Sequence, residues 1–436
     1  MKPTGSAAGA AMIAIALTLT ACGAGAATTE PGSGERLDTD RDITISLAWW
    51  GDDDRAARYE QAVDLFEEKY PNITVQTQFQ SGEDYWPARA TEAAGGALPD
   101  VVQMDLTYLR KYGATGQLLD LRAQEGVNLD LGGIDQTLLS SAQIDGGQFG
   151  IPTSTNTLAL FYNADVLERL DIEPLAKGYT WDELNDWIVT VSRSGGDDEP
   201  AVFGAADFTG TFWFFLQWLI QQGVEPFTVD GGLNFDRDDM ARWLESGQSL
   251  REAGAFYPTQ RAKQIEPLTG FSQSEVAADF AWDNFLAGYS ADTGQDIRML
   301  PMPSGDDGPQ QFWKPSQLLS ASANTAEPEA AAALIDFLVN EPEVGTIFGT
   351  SKGVPAVRAQ IDAMDIEPGS VDEQVLRYEE EVADVVTEAP PIPIEDIGQL
   401  EVEYERLTEE LQYGNVTVDQ LVDEWFTVAE SIVGQP

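Results

Sequence analysis

Carboxylates dominate the chemistry open to this chain. It carries 74 Asp and Glu against 24 Lys and Arg, with 11 Trp, one cysteine (Cys22) and no histidine. Without histidine, Ser-His-Asp and Cys-His nucleophilic mechanisms are closed to it, as are the usual zinc ligand sets. A pair of carboxyls held roughly 5–10 Å apart could still hydrolyse a glycosidic bond, and Asp52, Asp105 and Asp283 are the acids placed to form one. The triplet Asp52-Asp53-Asp54 lacks the spaced ligands and terminal glutamate of a calcium loop. Neither a metal nor a cofactor is therefore expected. The tryptophans offer a different chemistry: flat apolar faces that can cover a ligand.

The elements that must position these groups follow from periodicity. Ile43, Ile45 and Leu47 alternate with polar residues and predict a strand ending at Trp49-Trp50-Gly51. Asp52 to Asp54 supply capping groups for a helix whose apolar face holds Tyr59, Ala62, Val63, Phe66 and Tyr70. After Pro71-Asn72, Ile73, Val75, Thr77 and Phe79 alternate again. Strand, helix, strand in this order predicts parallel pairing with a right-handed crossover. Further strands are expected at Val101 to Met104, Ala278 to Trp282 and Ile297 to Pro301, with an apolar extended segment from Ile151 to Tyr162. Helices are expected at Trp86 to Ala94, Tyr108 to Leu121, Trp181 to Ser192 and Pro328 to Val339. The apolar run Thr211 to Ile220 is too short to span a bilayer and reads as a buried core helix. Val371 to Val433 reads as three amphipathic helices split by Pro390 to Pro393 and Gly414.

The formal net charge of −50 repels nucleic acid and anionic lipid headgroups alike, so neither is expected as a partner. The acidic runs, Glu401 to Glu410 among them, read mostly as solvated faces. Near the start, Lys2 precedes the apolar Ala10 to Leu19, and Leu19-Thr20-Ala21-Cys22 follows. This is the layout of a secretory signal. A small residue just before a cysteine resembles the lipobox of bacterial lipoproteins. That resemblance implies cleavage after residue 21 and a lipid on Cys22, which would hold the protein on the outer face of the cytoplasmic membrane. The other reading is an ordinary signal with a stray cysteine. Residues 22–42, rich in Gly, Ala, Ser and Pro, read as a flexible tether.

The remaining chain is too long for one ordinary core, so two domains are expected. Its segments stand in a specific order: Trp49-Trp50-Gly51, Phe66 to Ile73, Leu98-Pro99-Asp100-Val101-Val102, Gly116 to Leu121, Gly150-Ile151-Pro152 and Thr157 to Asn163. Tyr179 to Leu184, Leu300-Pro301-Met302-Pro303 and Lys352-Gly353-Val354-Pro355 complete it. On these pieces the chain resembles the family 1 extracellular solute-binding proteins, the maltose-binding-protein-like receptors of ABC importers. The resemblance implies a two-lobed α/β fold of the type II periplasmic-binding-protein class, with a ligand cleft between the lobes. It places residues 43–152 and 300–355 in the first lobe, and residues 153–299 and 356–436 in the second. It also implies a non-catalytic, monomeric receptor that closes on a mono- or oligosaccharide and delivers it to a permease. The alternatives are a carbohydrate-active enzyme with paired carboxylates and a receptor for a non-sugar solute such as a polyamine.

A sugar site needs flat rings for C–H faces and planar polar groups for hydroxyls, because desolvated hydroxyls left unpaired are costly. Trp49 and Trp50 end the first strand, where open α/β sheets place ligands, and alternation lets only one of them face the cleft; the resemblance, which favours the tryptophan next to the glycine, implies Trp50. Local packing of both is the competing reading. Asp52 resembles a residue that accepts sugar hydroxyls, or else it simply caps the helix. Asp105, after the strand ending at Met104, fits a polar cleft position. Asn156 and Thr157 lie on the first crossing segment. Trp282, followed by Asp283, matches the family's sugar-stacking tryptophan. Trp313 and Lys314 follow the second crossing, and Gly353 allows close backbone approach. Trp213 is explained equally well as core.

Overall fold

The computed structural model describes residues 29–196, 198–387 and 393–433. Cys22, expected to carry a lipid, lies outside the described residues, and so does most of the Pro390 to Pro393 break. The first strand, Ile43–Trp50, buries Ile43, Ile45, Leu47 and Trp49 on one face. At its end the Asp52 side chain accepts from the Arg55 N–H (2.9 Å) and starts the helix Asp53–Lys69, whose Tyr59, Ala62, Val63 and Phe66 turn inward. The strand Ile73–Gln80 then pairs in parallel with the first, Ile43 opposite Ile73 and Trp49 opposite Phe79. Only its start is buried. Phe79 stays 39% exposed, because this strand is the edge of its sheet.

That sheet has six strands in the order Val354–Pro355, Ile151–Asn156, Lys314–Ala321, Val101–Met104, Ile43–Trp50, Ile73–Gln80. Lys314–Ala321 lies in its middle, antiparallel to both neighbours, and periodicity gave no sign of it. Gln317 and Ser320 are buried within it, so polar residues occupy positions that alternation assigns to solvent. The expected helix from Tyr108 is the shorter Leu106–Ala114, stopped by a turn in which Gly116 has φ +71°.

The segment Ile151 to Tyr162 forms two strands in different sheets. Ile151–Asn156 pairs with Lys314–Ala321 in the first sheet. Leu158–Asn163 lies in a second sheet, between Val276–Trp282 and Ile297–Leu300, with Phe203–Ala205 at the far edge. The chain thus changes sheet at Thr157. The helix Phe212–Gln221 buries Phe212, Phe214, Phe215, Leu216 and Leu219 in the core beside the second sheet. The glutamines interrupting this run are also buried. Gln217 Nε2 donates to Pro309 O and Gln310 O (both 2.9 Å), and Gln221 Nε2 donates to Pro303 O (2.7 Å) and Pro309 O (2.8 Å). They thereby fasten the returning chain to the helix. The last three helices, Val371–Val382, Ile397–Gln412 and Val418–Val433, complete the second lobe. Among the described residues no helix is long and apolar enough to cross a membrane.

Candidate ligand-binding cleft

The carboxyl ends of the first sheet's strands face the second lobe, which is where open α/β sheets place ligands. Asp105 follows Val101–Met104 and caps the helix Leu106–Ala114: one carboxylate oxygen accepts from the Thr107 N–H (2.8 Å). Its other oxygen lies 3.6 Å from Lys314 Nζ. Lys314 opens the middle strand of the first sheet, yet its ammonium reaches the second lobe. There it sits 5.3 Å from the ring centre of Trp213 and 5.2 Å from that of Trp282. The two indoles meet edge to face with centres 5.8 Å apart. Trp213 belongs to the core helix and Trp282 ends the strand Val276–Trp282.

Asp105, Lys314 and Trp213 border a cavity of about 340 Å³, with Trp282 behind Trp213 and outside the lining. Asp105, Thr107, Tyr108 and Lys314 line it from the first lobe; Trp213, Gly398, Glu401, Val402 and Glu405 line it from the second. A neighbouring cavity of about 370 Å³ shares Thr107, Tyr108, Gly398 and Val402 and is bordered by the Lys111–Asp396 ion pair (2.6 Å). Burial pushes the Glu401 carboxyl up to about 7; the Glu405 and Asp105 charges add to the rise, while Lys314 and a hydrogen bond from Trp213 oppose it. Tyr108 carries an aromatic wall behind it. Trp86 stacks on Tyr108 with ring centres 3.8 Å apart, and Trp50 packs on Trp86 (5.4 Å) and Tyr85 (5.3 Å).

The structure therefore gathers Asp105, Trp282 and Lys314, and adds Trp213. Trp49 and Trp50 do point apart. Trp49 is fully buried, stacked on Tyr59 (4.6 Å), whereas Trp50 is half-buried and linked to the cavity through Trp86. Other expected residues lie elsewhere. Asp52 is exposed at its helix cap. Trp313 alternates with Lys314 along the chain and so faces away, into a separate cavity of about 590 Å³ beside Val354, Ile361 and Leu376.

Asn156, Thr157, Asp283 and Gly353 build the crossing between lobes. The Thr157 N–H donates to Asp283 Oδ2 (3.2 Å), and the Asp283 N–H donates to Thr157 O (3.0 Å). Thr155 Oγ1 lies 3.1 and 3.0 Å from the two Glu379 carboxyl oxygens. Burial holds both Asp283 and Glu379 well above the usual carboxyl range, and the Asp283 charge adds to the rise at Glu379. Gly353 has φ +98°, and a Cβ there would stand 2.3 Å from both Asn156 Oδ1 and Thr155 O. Its close approach is to the chain itself.

Sequence reasoning missed Tyr108 and Glu401. Glu401 opens an acidic run read as solvated, but it shares a helix face with Gly398 and Val402, and that spacing was the available signal. Among the described residues no group of three or more His, Cys, Asp or Glu is arranged to hold a metal ion.

Residues 51–344 match the family model described as bacterial extracellular solute-binding protein. The chain is 22% identical over 260 residues to the arabinooligosaccharide-binding protein of Bacillus subtilis (strain 168), covering 57% of this chain and 58% of that one. Among solved structures it resembles a family 1 extracellular solute-binding protein from Alicyclobacillus acidocaldarius, with TM-score 0.70, 25% identity and coverage of 92% and 100% of the two chains. It also resembles the periplasmic oligogalacturonide-binding protein of Yersinia enterocolitica in complex with saturated digalacturonic acid, with TM-score 0.75, 19% identity and coverage of 90% and 98%.

Proposed function

Because the chain belongs to the bacterial extracellular solute-binding proteins, we propose that it captures a carbohydrate in the cleft between its lobes and delivers it to an ABC importer permease. The observation carrying this reading is the meeting of Trp213 from one lobe with Asp105 and Lys314 from the other around one cavity, with Trp282 packed against Trp213 and Lys314 beside it. Indole rings suit the C–H faces of a sugar, and the charged groups suit its hydroxyls. Two adjoining cavities favour an oligosaccharide over a single sugar. The ligands in the names of the relatives point the same way.

Ligand stabilises the closed form because only that form offers contacts from both lobes, and the population shifts by that difference in affinity and no further. The protein acts as a monomeric receptor and not as an enzyme. Trp50 remains a proposed contact at the mouth of the cleft, Asp52 is proposed to act as the helix cap, and Asn156, Thr157, Asp283 and Gly353 are proposed to serve the site through the crossing, with Trp313 on its far side. Cys22 carries a lipid that keeps the receptor at the outer face of the cytoplasmic membrane beside its permease. A mass shift on Cys22 in mature protein tests that anchor.

Thermal-shift measurements against mono- and oligosaccharides, with Trp282→Ala as control, test the receptor reading. A sugar that raises the melting temperature of the wild type but not of the variant supports it. Failure of every sugar, or sustained release of reducing ends from an oligosaccharide, overturns it.

A further inference from the structure

The cleft already holds a cation. The Lys314 ammonium lies within cation–π distance of both indoles and 3.6 Å from Asp105. It arrives from the opposite lobe, and it covers rings that a sugar would have to reach, since Trp213 is only 7% exposed. A sugar stacking on Trp213 must therefore displace this side chain. The group that best replaces an ammonium over two indole faces is another ammonium.

The charges around the cavity agree. Asp105, Glu401 and Glu405 line it against Lys314 alone. Lys111 next to it is paired with Asp396, and Lys263, which acts on Glu405, bonds Glu266 (3.0 Å) and Glu409 (2.9 Å). Glu401 thus has no ion-pair partner among the described residues. A carboxylate partly removed from water gains from a cation placed beside it, whereas an anionic ligand would bring a further negative charge into the same cavity.

Resting on the saccharide reading above, we propose that the ligand is a saccharide bearing a protonated amine, which takes the place of the Lys314 ammonium over Trp213 and Trp282 and pairs with Asp105 and Glu401. Lys314 is then the internal competitor that sets the threshold for binding, and it favours cationic sugars over neutral or acidic ones.

Calorimetric titration of the full mature protein with a free-amine glucosamine trisaccharide, its N-acetylated form and trigalacturonate tests this. The free-amine form should bind at least about tenfold more tightly than the N-acetylated one, and trigalacturonate most weakly. Lys314→Met, which keeps the side chain's bulk, removes the competitor for every ligand, and it should tighten the free-amine ligand more than the N-acetylated one. Glu401→Gln should erase the preference between the two. Equal or tighter binding of the N-acetylated form or of trigalacturonate overturns the proposal and leaves the saccharide reading standing. Weaker amine binding by folded Lys314→Met also overturns it. If spermidine binds and no saccharide does, the saccharide reading fails and this proposal fails with it.

Discussion

Glu379 and Asp283 form a buried carboxyl pair at the point where Thr155 and Thr157 carry the chain from one lobe to the other. Both carboxyls are buried, Asp283 completely, and their neighbours are two threonines and the hydroxyl-bearing Tyr378. Burial favours the protonated form of each, and the charge of Asp283 raises the proton affinity of Glu379 further.

This makes the fold weaken as pH rises. A carboxyl whose folded pKa is raised contributes stability that is fully present below its unfolded value and is lost as pH rises through the folded one. The window therefore opens at about pH 4, the ordinary carboxyl range, and extends upward. Asp279, pushed up by burial to about 6, and Glu401 act in the same direction. The melting temperature should fall between about pH 5 and pH 8, and Glu379→Gln should flatten the decline, each pH unit of raised pKa being worth about 1.4 kcal/mol. Parallel curves for wild type and variant would contradict a raised proton affinity at this pair.

Gly353→Ala should be among the most damaging single changes. The new methyl group would meet a backbone carbonyl at 2.3 Å, in a backbone conformation that alanine rarely adopts. A loss of about 3 kcal/mol or more is expected in denaturant unfolding, large enough to mark a named steric cause. A loss below about 1 kcal/mol would mean that the crossing relaxes freely.

Asp52→Ala separates the two roles considered for that residue. Loss of the cap to the Arg55 N–H should cost about 1 kcal/mol in unfolding free energy, with the affinity for saccharide unchanged. A clear drop in affinity would instead make Asp52 a contact for the ligand.

The charge of −50 sets a dependence on salt. Self-repulsion is long-ranged at low ionic strength, with a Debye length of ~30 Å at 0.01 M against ~3 Å at 1 M. Melting temperature should climb between these conditions, and equal values would show that self-repulsion does not limit the stability of the fold.

The first strand, its capped helix and the parallel partner were legible because local alternation and helical spacing coincide with burial there. The core helix at Phe212 was legible for the same reason. The strand Lys314–Ala321 was hidden, since Gln317 and Ser320 are buried by pairing with strands distant in sequence, and no local pattern reports that. Trp282 and Lys314 could be named from the family resemblance, but their contact depends on two lobes approaching each other. Alternation would have parted Trp313 from Lys314 had the strand been recognised. Glu401 was obscured by its acidic neighbours, which share its charge but not its surroundings.

The placement of Lys314–Ala321 has a consequence for biogenesis. This strand fills the gap between Val101–Met104 and Ile151–Asn156, so the first sheet has no continuous centre until residue 321 has been made. A chain emerging N-terminus first has made every strand of the second sheet before the middle strand of the first exists. The topology delays collapse until three-quarters of the polypeptide is present, which keeps a protein bound for export threadable through a translocation channel for most of its synthesis.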